Sequence, residues 1–145
     1  MTSPLIPLLI QRLLDDGHAT LVDEVSLPGF LQQGRHSLLF FAGDVKRYPE
    51  SNDLAVILPE LTKAFAGAFQ VGLVSESDEK ALQQRYGFNH WPTLVLLRGE
   101  AYLGAVSKLR NWSEYCAEID QLLQGEPRRA PAFAIPLVVE SGGCA

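Results

Sequence analysis

The chain has 145 residues, of which 47% are hydrophobic, and its 17 acidic and 12 basic residues give a formal net charge of -5. This length fits one domain with its own core, because a domain of this size buries about 68–70% of its unfolded surface. The acidic balance argues against a nucleic-acid binder. No apolar run approaches the ~20 residues that a membrane span requires, so we expect no membrane insertion.

The N-terminal segment, Met-Thr-Ser-Pro-Leu-Ile-Pro-Leu-Leu-Ile, lacks the basic region that opens a secretory signal. Polar residues follow where a cleavage site would lie, namely Gln11, Arg12, Asp15 and Asp16. The sequence therefore predicts a cytoplasmic protein.

The two cysteines, Cys116 and Cys144, form no Cys-x-x-Cys pair, and the three histidines, His18, His36 and His90, are dispersed. This pattern predicts no metal site and no cofactor. We expect Cys116 to be a buried structural thiol on the apolar face of a helix. Cys144 is expected to be an inert thiol near the chain end, with an intermolecular disulfide as the alternative.

In chain order, the first predicted element is an amphipathic helix over 4–16. A short strand is predicted over 18–24 and a helix over 27–33. The almost wholly apolar segment 37–42 is typical of a strand that is covered on both faces. The polar loop 43–52 follows this strand directly, and loops in that position often carry the function.

A long helix is predicted next, after a cap at Asn52 and Asp53, with an apolar face that runs from Leu54 to Phe69. It contains Pro59, which predicts a kink. The remaining predicted elements are a strand over 69–74, a helix over 78–86, strands over 93–97 and 101–106, and a helix over 112–124 that ends at Gly125.

This order predicts an α/β protein, a three-layer α/β/α sandwich around a mixed central sheet. The last two strands must be antiparallel, because only Gly99-Glu100 joins them. We divide the chain into an N-terminal helix extension (1–17), an α/β domain (18–125) and a tail rich in proline (126–145). The composition of the tail predicts flexibility.

Several local sequences, together with the element order, resemble the thioredoxin family. They are Phe40-Phe41-Ala42, Pro59 in the long helix, Tyr86-Gly87-Phe88, Trp91-Pro92-Thr93 and the turn Gly99-Glu100. The resemblance covers roughly 18–124 and implies a thioredoxin-like fold. It also implies a cis peptide bond at Trp91-Pro92.

Two positions depart from the thioredoxin pattern. The redox motif of that family would fall at Ser51-Asn52-Asp53-Leu54, where neither end is a cysteine. The buried acid that handles protons for the thiol is replaced by Leu39. Without a thiolate there is no nucleophile for thiol exchange, so the sequence predicts a protein that is not an enzyme.

A thioredoxin-like chain without these cysteines resembles the HyaE/HupG family of NiFe-hydrogenase expression and maturation proteins. The likeness is carried by Phe-Phe-Ala-Gly at 40–43, Pro-Glu-Leu at 59–61 and Trp-Pro-Thr at 91–93. It implies a cytoplasmic chaperone whose partner is the precursor of the hydrogenase small subunit. The chaperone would recognise the twin-arginine signal peptide of this precursor.

The candidate peptide-binding residues are of two kinds. Four acids near the polar loop are interpreted either as a solvated face or as a rim for arginines, which pair with carboxylates in bidentate geometry. Two further residues flank the position where thioredoxins pair their backbone with an extended peptide. The set is Asp44, Glu50, Asp53, Glu60, Trp91 and Pro92.

Other hypotheses remain open at this stage. One is a monothiol redox protein, although acidic neighbours of Cys116 disfavour a reactive thiolate. Another is a scaffold subunit of a larger assembly, a homodimer through the N-terminal helix. Arg128-Arg129 in the tail is interpreted as a basic spacer, or as a paired arginine that occupies the chain's own groove.

Overall fold

The computed structural model describes residues 8–131. Within this part of the chain the predicted order of elements is confirmed. The helices are α1 (Leu8–Asp15), α2 (Leu27–Gln32), α3 (Glu50–Ala64), α4 (Glu79–Tyr86) and α5 (Trp112–Gln124). The strands are β1 (Thr20–Val22), β2 (His36–Phe41), β3 (Gln70–Val74), β4 (Thr93–Arg98) and β5 (Ala101–Ser107).

The five strands form one mixed sheet in the order β1-β3-β2-β4-β5. β1, β3 and β2 run parallel, whereas β4 is antiparallel to β2 and to β5. The antiparallel hairpin predicted around Gly99-Glu100 is therefore confirmed. β2 lies at the centre of the sheet, between β3 and β4. The loop that follows its C-terminal end therefore has loops of both neighbouring strands beside it.

Helices cover both faces of the sheet and divide the core in two. Alternate residues of β2 point to opposite faces: Leu38 and Phe40 pack with α1, α3 and α5, whereas Leu39 and Phe41 pack with α2 and α4. All four of these side chains are fully buried. The predicted three-layer thioredoxin-like sandwich is confirmed.

The long helix begins earlier and ends earlier than the sequence predicted. α3 starts at Glu50, so Asn52 and Asp53 lie in its first turn and do not cap it. The reason is a contact with the chain just after β2: the hydroxyl of buried Ser51 donates a hydrogen bond to the carbonyl of Ala42. The helix stops at Ala64 because the next turn enters the left-handed region, with φ of 53° at Ala66.

Two other boundaries are corrected. β1 is limited to Thr20–Val22, shorter than the predicted 18–24. A short 3₁₀ turn at Glu76–Asp78 precedes α4, which begins at Glu79. Predicted helical residues 4–7 lie outside the described part of the chain.

The first residues of the predicted tail lie against the edge of the sheet. The backbone N–H of Arg128 donates to the carbonyl of Tyr102 at 2.8 Å, and its Nε donates to the carbonyl of Leu103 at 3.0 Å. Arg128 is thus engaged on β5, and not in a groove elsewhere. Residues 132–145 of the tail, including Cys144, lie outside the described residues.

Candidate functional site

The loop between α4 and β4 reaches the C-terminal end of β2. It contains the predicted cis bond, which is present at Trp91-Pro92. The carbonyl of Pro92 accepts a hydrogen bond from the N–H of Lys108 at 2.7 Å. The hydroxyl of Thr93 donates to the carbonyl of His90 at 2.6 Å, so the loop is held on both sides of the proline.

A groove of about 690 Å³ lies on one side of this loop, and we call it the Trp91 groove. Its walls combine apolar surface with charged groups of both signs. Its lining residues are Arg47, Tyr48, Glu50, Asn89, His90, Trp91, Lys108 and Leu109.

A second, smaller pocket of about 370 Å³ lies on the side of α4, and we call it the α4-side pocket. Its charged lining residues are Asp44, Arg47, Glu76, Glu79 and Lys80. Tyr48 and Trp91 line both cavities and stack on each other with their ring centroids 5.7 Å apart. This aromatic pair is therefore a wall that the two cavities share.

The backbone of Trp91 is available for pairing with a ligand. Neither its N–H nor its C=O makes a hydrogen bond with any residue of the described range 8–131. The Trp91 side chain is partly exposed and lies in both cavities. An extended peptide could pair with these two backbone groups and place its side chains on the aromatic wall.

The predicted acidic rim is divided by the structure. Asp44 lies in the α4-side pocket and Glu50 lies in the Trp91 groove. Asp53 is exposed in the first turn of α3 and lines neither cavity. Glu60 lies ten residues beyond Glu50 on α3, a separation of about 15 Å along the helix axis. There it pairs with Lys63 at 4.0 Å.

The first and last positions of the absent redox motif, where cysteines would stand, are both closed to solvent. Ser51 and Leu54 are fully buried in the first turns of α3. Leu39, which replaces the buried acid of thioredoxins, is also fully buried and lies opposite Val95 of β4. The two positions that carry the cysteines in thioredoxins thus pack as core here.

One buried carboxyl group was missed by the sequence analysis. Glu79 is only 7% exposed and lies on the inner face of α4, with Leu82 and Tyr86. Its carboxylate accepts hydrogen bonds from the indole Nε1–H of Trp91 at 2.9 Å and from the backbone N–H of Gly43 at 3.1 Å. The spacing of Glu79 from Leu82 and Tyr86 was the available signal, because residues three and seven apart share a helix face.

The pKa of Glu79 is raised from its ordinary value of 4.5 to about 7. Burial is the main cause, since it penalises the charged form, and the nearby Glu76 charge adds to it. The hydrogen bonds from Gly43 and Trp91 act in the opposite direction. A carboxyl group with this pKa can gain or lose a proton near neutral pH.

The cysteine and histidine residues form no reactive centre in the described residues. Cys116 lies on α5 and is half-buried against the core, so it is less buried than predicted. Among residues 8–131 no group of three or more metal-ligating side chains comes together. None of the described helices is long and apolar enough to cross a membrane.

A comparison with protein-family models identifies the family of this chain. The family model described as hydrogenase-1 expression protein HyaE matches residues 9–115. The chain belongs to the HyaE family. The family resemblance seen in the sequence is thereby confirmed.

Named relatives agree with this membership. The hydrogenase expression/formation protein HoxO of Azotobacter vinelandii is 46% identical over 134 residues, covering 92% of this chain and 89% of the relative. HoxO of Cupriavidus necator is 35% identical and covers 98% of this chain and 89% of the relative. Both of these relatives are thus named as hydrogenase expression/formation proteins.

Solved structures agree with the fold. The crystal structure of a putative hydrogenase expression/formation protein HupG from Rhodopseudomonas palustris is 41% identical, with a TM-score of 0.53, covering 72% of this chain and 94% of that one. A thioredoxin from Halobacterium salinarum has a TM-score of 0.53 at 18% identity, covering 76% of this chain and 95% of that one. At that identity the second likeness concerns the fold alone.

Proposed function

We propose that this protein is a non-catalytic, cytoplasmic chaperone in NiFe-hydrogenase maturation that binds the precursor of the small subunit through its twin-arginine signal peptide. The observation that carries the proposal is the Trp91 groove, in which the backbone N–H and C=O of Trp91 make no hydrogen bond with any described residue. Membership in the HyaE family supports the link to hydrogenase maturation. The buried Ser51 and Leu54 support a role without thiol chemistry.

The groove suits an extended peptide with an apolar segment. The N–H and C=O of Trp91 would pair with the peptide backbone, and pairing of this kind gives affinity without sequence selection. The exposed parts of Tyr48, Trp91 and Leu109 would contact the apolar stretch of the signal. Aromatic and apolar contacts of this kind contribute most to affinity when water is excluded from them.

The arginines of the signal would lie toward the α4-side pocket. That pocket carries the carboxylates of Asp44, Glu76 and Glu79 against two basic side chains, whereas the Trp91 groove carries only Glu50 against two. The chain's own Arg47 already places its guanidinium 5.7 Å from the centroid of the Tyr48 ring. The same aromatic wall could therefore support a guanidinium from a ligand.

The test is calorimetric titration of the full chain with a synthetic small-subunit signal peptide and with the same peptide carrying Lys-Lys in place of Arg-Arg. We expect weaker binding of the lysine peptide, because an ammonium group cannot form the bidentate pair that a guanidinium forms. We also expect affinity to fall with rising salt concentration.

The control peptide keeps the paired arginines but has polar residues in its apolar stretch, and it should also bind more weakly. Equal affinity for all three peptides would overturn recognition of the signal. Absence of binding to the arginine peptide would overturn the proposed function as a whole.

A further inference from the structure

The buried Glu79 accepts hydrogen bonds from two loops that are separate in sequence. One of its carboxylate oxygens accepts from the indole of Trp91 at 2.9 Å, and the other accepts from the N–H of Gly43 at 3.1 Å. Gly43 follows the central strand β2, and Trp91 precedes β4. The carboxylate therefore bridges the two chain segments that flank the aromatic wall.

The packing around Trp91 leaves this bridge as its only polar restraint among the described residues. The indole lies between Phe88, at 5.5 Å in edge geometry, and Tyr48, at 5.7 Å in stacked geometry. Such aromatic contacts permit rotation and sliding at small cost, whereas a hydrogen bond fixes a direction. The orientation of the wall thus depends on Glu79.

We propose that Glu79 is the positioning residue of the peptide groove: its ionised carboxylate holds the Trp91 indole and the Gly43 turn in the arrangement that accepts an extended peptide. The role in peptide affinity rests on the proposed function, whereas the role in positioning Trp91 does not. The ionised group accepts strongly at both oxygens, whereas protonation turns one oxygen into a hydroxyl, which is a weaker acceptor.

The local chemistry makes this arrangement sensitive to pH. The pKa of Glu79 is raised to about 7, chiefly by burial. If the Glu79 carboxylate gains a proton near neutral pH, one of its two hydrogen bonds, from Trp91 or from Gly43, becomes weaker. The aromatic wall would then be less restrained. The charged and titratable groups around the site are Glu76 on the 3₁₀ turn, Asp44 and Arg47 on the β2–α3 loop, Lys80 on α4 and His90 on the far side of Trp91.

The first experiment needs no peptide. The full chain is labelled with ¹⁵N, and the indole N–H signals of its two tryptophans are followed from pH 5.5 to 8.5. We expect the Trp91 signal to move with a midpoint near 7 in the wild type and to stay fixed in Glu79→Gln. The Trp112 signal, from a side chain on α5, should not follow this titration. A Trp91 signal that titrates equally in Glu79→Gln, or that has the same chemical shift in both proteins at pH 8.5, would overturn the positioning role.

The second experiment measures affinity for the arginine signal peptide, prepared without histidine or acidic residues. Loss of one wall hydrogen bond should weaken wild-type binding about fivefold between pH 8 and pH 6. Glu79→Gln should bind about fivefold more weakly than wild type at pH 8, with little dependence on pH. Glu100→Gln is the matched control, since it removes an exposed charge in the β4–β5 turn, at the opposite end of the sheet from Trp91.

A double-mutant cycle separates positioning from a general loss of stability. Trp91→Phe keeps the aromatic ring and removes the indole N–H. If Glu79 acts through that group, the losses caused by Glu79→Gln and Trp91→Phe should not add in the double variant. Additive losses would overturn the mechanism. If the wild type binds no signal peptide, the proposed function fails, and the indole titration alone still decides whether Glu79 positions Trp91.

Discussion

The backbone of Gly43 lies directly beneath the indole of Trp91, so close that a Cβ on residue 43 would stand 2.5 Å from Cδ1 of that ring. The same residue has a φ of +67°, in the region that side chains with a Cβ rarely adopt. Both features follow from one requirement, which is that the chain must turn sharply after β2 while the aromatic wall packs on the turn.

We expect Gly43→Ala to destabilise the fold by about 2–4 kcal/mol, because it adds a collision with Trp91 to the strain of a left-handed backbone. Urea unfolding of the two proteins measures this loss. Gly17→Ala is the matched control: Gly17 has a φ of +76°, but a Cβ at this position would meet no atom within 4 Å. The control should lose only about 1–2 kcal/mol. Equal losses would contradict a role for the Trp91 contact.

The sequence carried enough information for the fold because its core segments have distinct periodicities. The apolar run of β2 indicated a strand covered on both faces, and the short Gly99-Glu100 link required an antiparallel hairpin. The start of α3 could not be predicted in this way. It depends on the contact between Ser51 and Ala42, which exists only after β2 and the helix have packed together.

The site was less predictable than the fold for a related reason. Four acids that are near in sequence are compatible with one rim as well as with a solvated face, but Asp44 and Glu50 face different cavities and Glu60 lies farther along α3. Charge counts along a chain do not report which loop faces which cavity. Glu79 was missed because glutamate side chains are ordinarily exposed, so burial of this one was not expected. Its two hydrogen-bond donors come from other loops, and the sequence does not show that these loops meet at Glu79.

The positions of the acids predict an order of effects on peptide binding. Reversal of Asp44 or Glu50 to lysine should weaken binding of the arginine peptide by up to about tenfold, the scale of an exposed ion pair converted to a repulsion. Asp53→Lys should have a smaller effect, since its side chain lines neither cavity. Calorimetric titration of each variant gives the affinities.

Two reversals serve as controls for this series. The first is Glu60→Lys, because Glu60 lies on the same helix but farther from the cavities. The second is Asp16→Lys, because Asp16 lies near the N-terminal end of β1, at the opposite end of the sheet from Gly43. Neither should change affinity by more than about twofold at physiological salt. A loss at Asp16 as large as that at Glu50 would mean that total charge, and not the site, governs binding.

We expect no disulfide reductase activity from this chain. Ser51 and Leu54 are buried where sulfur would be required, and Cys116 is a single half-buried thiol. Insulin reduction in the presence of thioredoxin reductase is the measurement, with a thioredoxin as positive control. Replacement of both cysteines by serine should leave the background rate unchanged. Turnover above background that disappears in this variant would revive the monothiol hypothesis.

The segment after α5 should contribute to stability through one arginine. The Nε of Arg128 donates to the carbonyl of Leu103, a buried residue at the irregularity in the pairing of β4 and β5. Arg128→Ala leaves this carbonyl without that donor, and we expect a loss of about 1 kcal/mol in urea unfolding. Arg129→Ala is the neighbouring control and should change stability by less than about 0.5 kcal/mol. Identical stability of the two variants would show that the segment does not hold β5.

The pH dependence of stability should carry the signature of Glu79. Its pKa is about 7 in the folded protein and near 4.5 as its ordinary value. Between these values the folded protein retains a proton that the unfolded chain has released. The unfolded state therefore binds fewer protons, so stability must fall as pH rises through this window and level off above it. The full effect of such a shift is about 3 kcal/mol, since each pKa unit corresponds to about 1.4 kcal/mol.

Glu79→Gln tests this sign, because glutamine does not titrate. The free energy of unfolding of the variant, minus that of the wild type, should rise by up to about 3 kcal/mol between pH 4.5 and pH 8. Urea unfolding at closely spaced pH values gives both curves, and other titrating groups cancel in the difference. Glu100→Gln should follow the wild type with nearly the same slope, because Glu100 is exposed in the β4–β5 turn and is not among the groups around Glu79. A difference that stays flat, or that falls with pH, would mean that the Glu79 carboxyl is ionised at little cost in the folded protein, and that Trp91 is held in one orientation throughout this range.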